Sequence, residues 1–142
     1  MAQRVVMVML LILLVGCGSS DPVPMRVWGK VTFADKPVPE GTITFTPIAP
    51  HTGPASGGSI VDGRYDVAAN VGPLSGGQYR VEITAIRQSG RQVPNTIGFG
   101  GGMLNVPEMY IPTAYNVNST LQVTISRREN ENEFDFSLIA SP

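Results

Sequence analysis

The sequence GKVTFADKPVPEGTITFTP, residues 29–47, contains two short segments in which apolar and polar side chains alternate. Val31 and Phe33 share one face of the first segment, and Ile43 and Phe45 share one face of the second. Because successive side chains of a β-strand point to opposite faces, this alternation predicts two strands that each bury one face. A proline-containing turn, ADKP, separates them, as is typical of neighbouring antiparallel strands.

The same alternation continues along the rest of the chain. Asp62 and Gly63 lie between two short strands, and an Asp-Gly pair in that position is a strong signal for a tight hairpin. No apolar pattern of helical period follows residue 17. We therefore predict an all-β fold, an antiparallel β-sandwich of about seven strands preceded by a signal-peptide helix. The predicted core takes one face of each strand: Val27, Val31, Phe33, Ile43, Phe45, Tyr79, Val81, Ile83, Ala85, Leu121, Val123, Ile125, Phe134, Phe136 and Leu138.

The N-terminal region has the pattern of a signal peptide. Arg4 supplies one positive charge, and an unbroken apolar run follows from Val5 to Val15. A helix of that length spans about 16 Å, roughly half of the ~30 Å core of a bilayer. The run therefore indicates the hydrophobic region of a signal peptide, residues 1–16, with a transmembrane anchor as the alternative.

Cys17 directly follows this region and is the single cysteine of the chain, so it has no partner for an internal disulfide. The sequence Leu14-Val15-Gly16-Cys17 resembles the lipobox of bacterial lipoproteins. That resemblance implies lipidation of the Cys17 sulfur, cleavage before Cys17 and acylation of the new amino terminus. It also implies a membrane-anchored lipoprotein on the extracytoplasmic side of the bacterial cell envelope, with inner or outer membrane left open. Residues 17–25 are then a lipidated tether, and residues 26–142 form the domain.

The domain resembles a known module as well. The runs at residues 29–47, 55–67 and 76–84 are similar to the carboxypeptidase regulatory-like domain. This resemblance implies a transthyretin-like (prealbumin-like) β-sandwich over about residues 26–87, and it implies a fold without a particular chemistry. The matching positions are Gly29, Val31, Pro37, Gly41, Asp62, Gly63, Tyr65, Gly77, Tyr79 and Val81.

Composition argues against several functional classes. The chain has 10 basic and 11 acidic residues, a net charge of −1, which does not suit a nucleic-acid surface. One histidine and no structural cysteine leave no usual zinc constellation, so we predict no metal and no cofactor. Transthyretin-like hydrolases of 5-hydroxyisourate rely on two histidines, an arginine and a C-terminal Tyr-Arg-Gly-Ser, whereas this chain has only His51 and ends in LIASP. We therefore predict no catalytic residues, and a small hydrolase with an unrecognised site stays open as an alternative.

Two further sets of residues raise specific chemistry. Lys30, Glu82 and Asp135 are the residue types of an internal isopeptide bond, but strand parity turns all three outward, and that reaction needs buried groups. Trp28 faces outward by the same parity, and an exposed aromatic ring is a platform for sugars. We take Trp28 and Phe99 as a possible ligand surface for an envelope protein or a glycan.

Residues 88–106 show neither the strand period nor the helical one, and four glycines lie between residues 98 and 102. We predict a long flexible loop, with Ile97-Gly98-Phe99 as its docking point. The function expected from the whole sequence is a membrane-anchored envelope lipoprotein whose β-sandwich is an accessory or interaction module. A carbohydrate-binding module is the alternative.

Overall fold

A computed structural model describes residues 21–97 and 100–141 of the chain. The predicted signal peptide, Cys17 and Phe99 lie outside the described residues. Within them, no helix is long and apolar enough to cross a membrane. The strands are β1 (Val27–Phe33), β2 (Lys36–Pro37), β3 (Glu40–Pro47), β4 (Ser56–Val61), β5 (Arg64–Val67), β6 (Gln78–Thr84), β7 (Ile86–Pro94), β8 (Met103–Met109), β9 (Gln122–Thr124) and β10 (Phe136–Leu138). Short 3₁₀ turns lie at Ala69–Val71, Thr113–Tyr115 and Glu129–Glu131.

The predicted all-β class is confirmed. The main sheet has the order β10-β1-β5-β4-β3-β6-β9, with β2 beside β1, and it curls into a half-barrel around the core. The strands of the body therefore form one continuous hydrogen-bonded path, where we expected the two separate sheets of a sandwich. Strand β10 also departs from the antiparallel prediction, because it pairs parallel to β1, with Val31 opposite Phe136. Alternation identifies the buried face of a strand, but it does not identify the direction of its neighbour.

One face of each predicted strand supplies the core, as the alternation indicated. The predicted inward side chains are buried, except that Phe33, Leu121 and Phe134 are half-buried at the margin. Aromatic rings connect the two halves of the curl: the centroid of Tyr65 lies 6.1 Å from that of Phe45 and 6.3 Å from that of Phe136. The predicted hairpin between β4 and β5 is present, and Asp62 and Gly63 both have positive φ there.

Two buried tyrosines hold the ends of the barrel through their hydroxyl groups. Tyr79 is fully buried, and its hydroxyl accepts a hydrogen bond from the Leu74 N–H at 2.8 Å. The His51 Nε2 lies 2.8 Å from the same oxygen, and the His51 ring packs over Gly77. At the far side of the core, the Tyr65 hydroxyl donates to the Phe134 carbonyl at 2.7 Å. Burial raises the pKa of Tyr65 well above its ordinary value, so this donor stays protonated.

The C-terminal segment runs parallel beside β1 and approaches it closely at Gly29, where only glycine fits. The Trp28 N–H donates to the Asn132 carbonyl at 3.2 Å, and the Phe134 N–H donates to the Trp28 carbonyl at 2.9 Å. A Cβ at Gly29 would collide with the Phe134 carbonyl oxygen. The backbone of Gly29 therefore lets the segment that precedes β10 lie directly against β1.

The structure corrects the prediction for residues 88–106. This segment is mostly regular: β7 and β8 pair as an antiparallel hairpin, with Ile86 opposite Met109 and Pro94 opposite Met103. The hairpin forms a two-stranded sheet of its own and is not hydrogen-bonded into the main sheet. Both faces of the hairpin are largely exposed, so neither face has to be apolar. The alternation of apolar and polar residues that marks a half-buried strand is therefore absent from its sequence.

The end of the predicted tether also belongs to the body. Met25 is buried, and its N–H donates to the Pro73 carbonyl at 2.9 Å. Pro24 bridges to Leu74, and the Ser75 N–H donates to the Val23 carbonyl at 2.8 Å. The ordered domain thus includes residues 23–25, which composition alone had placed in the tether.

The hydroxyl of Tyr79 provides a direct test of this packing. Tyr79→Phe leaves the half-buried Leu74 N–H without its acceptor, and we expect the free energy of unfolding to fall by about 2 kcal/mol. Chemical denaturation measures this change. Tyr110→Phe is the matched control, because its hydroxyl makes no hydrogen bond to another described residue, and its effect should stay within about 0.5 kcal/mol. Equal effects of the two substitutions would contradict the role assigned to the Tyr79 hydroxyl.

Candidate functional site

The N-terminal end of the domain and the β7–β8 hairpin lie at opposite ends of the body. The chain joins the body at Met25, beside Pro73, and β6 begins nearby at Gln78. Strand β6 then runs for 7 residues, a length of about 23 Å, before β7 leaves the body at Ile86. The hairpin therefore projects from the end of the barrel that is farthest from the N-terminus.

An open groove of about 610 Å³ lies at the base of this hairpin, and we call it the distal groove. The end of β1, the β2 turn, the start of β3, the start of β7 and Tyr110, which directly follows β8, each contribute to it. Its apolar lining is formed by the side chains of Phe33, Pro37, Pro39, Ile86 and Tyr110. The rings of Phe33 and Tyr110 meet edge to face, with their centroids 5.5 Å apart.

The charged side chains around the distal groove balance one another, with equal numbers of positive and negative groups. The Arg87 Nε donates to the Glu108 Oε1 at 2.7 Å, and the Arg87 guanidinium lies 5.1 Å from the centroid of the Tyr110 ring. Lys36 and Glu40 supply one positive and one negative charge at the rim. Burial raises the pKa of Tyr110, and the nearby Arg87 partly offsets this shift. The groove therefore offers aromatic and apolar surface with little net charge.

The hairpin beyond the groove carries apolar side chains that nothing in the described chain covers. Ile97 is 85 % exposed, and Val93, Met103 and Leu104 are also exposed. Residues 92–107 contain no charged side chain. Exposed apolar residues concentrated in this way mark an interaction surface more often than a solvated one.

Trp28 lies on the outer face of β1, as its parity predicted, and a second groove of about 430 Å³ runs beside it. The Arg26 guanidinium lies 4.8 Å from the centroid of the Trp28 ring. Asp66 holds Arg26 there through two hydrogen bonds, Nε to Oδ1 at 2.8 Å and an NH2 nitrogen to Oδ2 at 2.6 Å. One face of the predicted aromatic platform is thus covered by the chain's own cation. Phe99, the other residue of the predicted ligand surface, lies outside the described residues.

The remaining sequence candidates do not form a reactive site. Lys30 and Asp135 are exposed and Glu82 is half-buried on the outer side, so none has the buried setting of an isopeptide site. Asp135 instead accepts a hydrogen bond from the Lys30 N–H at 2.7 Å. His51 is half-buried and lies at the opposite end from the distal groove, against Tyr79. Over residues 21–97 and 100–141, no group of three or more metal-ligating side chains of the histidine, cysteine or carboxylate type comes together.

Sequence reasoning missed the distal groove because its lining comes from separate segments. Phe33 was assigned to the core, and Tyr110 was not among the candidate site residues. The one available signal was Pro37 and Pro39 beside Lys36, two prolines that line the groove together with Phe33. Comparison with protein families, with curated protein sequences and with solved structures finds no match to this chain.

The contact between Arg26 and Trp28 predicts how the fluorescence of Trp28 depends on pH. Arg26 lowers the pKa of Asp66 below its ordinary value of 3.8, so the carboxylate stays charged on mild acidification. Trp28 is the only tryptophan, and its fluorescence should therefore hold constant from neutral pH down to that value and change only below it. Asp66→Asn should show the changed spectrum already at neutral pH, whereas Asp62→Asn, in the exposed β4–β5 turn, should not. An unchanged spectrum in Asp66→Asn would show that Arg26 does not depend on Asp66.

Proposed function

We propose that this chain is a lipid-anchored protein of the bacterial cell envelope, whose β-domain is an interaction module with no reaction of its own. The lipobox-like sequence that ends at Cys17 supports the anchor. The apolar distal groove and the uncovered hairpin support the interaction role, because they provide a large contact surface with balanced charge. The resemblance to the carboxypeptidase regulatory-like domain is part of this proposal and agrees with the all-β fold.

The observation that carries the proposal is that the N-terminal end of the domain and the β7–β8 hairpin lie at opposite ends of the body. Because residues 23–25 are held against residues 73–75, only about five residues separate Cys17 from the body. Such a segment reaches at most ~18 Å, so a lipid on Cys17 holds that end of the body close to the membrane. The distal groove and the hairpin then face away from the bilayer, towards partners in the envelope.

A carbohydrate ligand at Trp28 is the second candidate function. Lys30, Arg64, Asp66 and Glu133 line the groove beside the ring and supply the polar groups that a sugar requires. A ligand there would stack on the part of the ring that Arg26 leaves free. Trp28→Ala would abolish binding to an envelope glycan in a titration, whereas Tyr110→Ala, in the distal groove, would preserve it. Loss of binding in the second variant alone would assign the glycan to the distal groove.

The anchor is tested on the full chain expressed in a bacterial host. We expect the wild-type protein to partition into the detergent phase, and Cys17→Ser to accumulate as an uncleaved precursor of higher mass, because the serine oxygen does not replace the thiol in lipidation. Ser19→Ala, two residues away, is the control and should behave as wild type. Equal mature length for wild type and Cys17→Ser would contradict the lipid anchor. The proposed interaction role of the distal end does not depend on the anchor and would remain.

A further inference from the structure

Two positive side chains lie opposite one another on the outer face of the sheet, beside Trp28. Lys30 of β1 pairs with Arg64 of β5 in the antiparallel register, and both side chains are exposed. Like charges that face each other directly across two strands destabilise the pairing. Within the part of the chain that the structure describes, neither side chain forms an ion pair or a hydrogen bond. Asp135 binds the backbone N–H of Lys30 and not its ammonium group.

These two cations line the groove of about 430 Å³ beside Trp28, which we call the Trp28 groove. Its lining holds three positive and two negative side chains: Arg26, Lys30, Arg64, Asp66 and Glu133. Asp66 holds Arg26 through two hydrogen bonds, so their charges compensate each other. The charges of Lys30, Arg64 and Glu133 remain, which is an excess of one positive charge. An anionic group would pair with both cations and relieve their repulsion.

We propose that the Trp28 groove binds an acidic sugar, whose ring stacks on Trp28 and whose carboxylate lies between Lys30 and Arg64. Residues two apart in a strand share a face and are separated by about 7 Å, so Trp28 and Lys30 are spaced for one sugar ring and its carboxylate. Arginine offers a carboxylate two parallel N–H groups, and lysine adds a compact charge. This proposal rests on the carbohydrate candidate described above and adds the charge of the ligand. It does not depend on the anchor or on the distal groove.

Glu133 gives the ligand an orientation in the groove. Its side chain is exposed, and it lies beside Trp28 because the C-terminal segment runs parallel to β1 there. A carboxylate accepts hydrogen bonds from sugar hydroxyl groups but repels a second carboxylate. The hydroxyl groups of the ligand therefore face Glu133, and its acidic group faces Lys30 and Arg64. A free inorganic anion has no ring for Trp28 and would satisfy only the two cations.

Titration of the full chain in detergent tests the charge of the ligand. The probes are short oligomers of galacturonic or glucuronic acid, and the methyl esters of the same oligomers are the neutral controls. Trp28 is the only tryptophan, so its fluorescence reports occupancy of the groove directly. We expect the acids to bind about tenfold more tightly than the esters, because an ester lacks the charge that pairs with Lys30 and Arg64. The difference should shrink at high salt, and inorganic phosphate at equal ionic strength should not displace the acids.

Substitutions, followed by calorimetric titration, test the residues. Lys30→Gln and Arg64→Gln should each weaken binding of the acids about tenfold and leave binding of the esters unchanged. Lys36→Gln removes an exposed lysine at the distal groove, and as the matched control it should leave both affinities unchanged. Glu133→Gln should strengthen binding of the acids several-fold, because it removes a repelling charge. A gain of affinity cannot result from a loss of folding.

The possible outcomes separate this proposal from the others. Equal affinity for acids and esters would overturn it and leave the neutral carbohydrate candidate at Trp28 in place. Weakening by Lys36→Gln as large as that by Lys30→Gln would also overturn it, because the effect would then be one of net charge. Failure to bind any acid, or displacement of the acids by inorganic phosphate, would contradict an acidic sugar as the ligand. The partition experiment with Cys17→Ser tests the anchor separately.

Discussion

The unequal pairing of β4 with its two neighbours, close and complete with β3 but short with β5, is the constraint on which the arrangement of the sheet depends. A Cβ at Gly57 would collide with the Ile43 carbonyl oxygen, so only glycine lets the two backbones lie this close. Strand β4 pairs with β3 along its whole length but with β5 only through Ile60 and Val61. The half of the sheet that contains β1 and β5 can therefore turn over the half that contains β3 and β6. The core lies between them, and the direction of β6 then decides where the hairpin leaves the body.

The alternation of residues was sufficient to predict the all-β class and most of the core, because burial of one face is a local property of a strand. Ile43, Phe45, Val81 and Ile83 are fully buried, as their positions indicated. Properties that depend on a distant partner were not available from the same pattern. The parallel pairing of β10 with β1 and the contact of residues 23–25 with residues 73–75 are both of this kind. The β7–β8 hairpin was missed for a different reason, since a strand that is exposed on both faces needs no alternation.

The candidate sites also include features that a local sequence pattern predicts and features that depend on a distant partner. The outward position of Trp28 followed from parity, and Arg26 shares that face of the chain two residues earlier, so their contact was within reach of the same reasoning. The hydrogen bonds by which Asp66 holds Arg26 could not be predicted in this way, because Asp66 lies opposite Trp28 only through the register of β5 on β1. The distal groove needs Phe33 and Tyr110 to meet across 77 positions of sequence, and no local pattern encodes that contact. Cys17 and Phe99 lie outside the described residues, and their roles rest on sequence alone.

The polar and apolar groups are distributed differently between the body of the domain and its distal end. Inside the described body, the buried side chains of Tyr79, Asn132 and Ser119 all have hydrogen-bond partners, and Ser56 Oγ is the one buried polar side-chain atom there without one. The pKa shifts belong to tyrosines that burial keeps protonated and to surface pairs such as Arg26 with Asp66, which stabilise structure and do not prepare a proton transfer. Among residues 21–97 and 100–141, 11 large apolar side chains are exposed, and 6 of them lie between Ile86 and Met109. Because the body satisfies its own polar groups while the hairpin leaves its apolar side chains in water, the apolar surface that could still be buried lies mainly on the hairpin, and this distribution is the basis of the proposed interaction role.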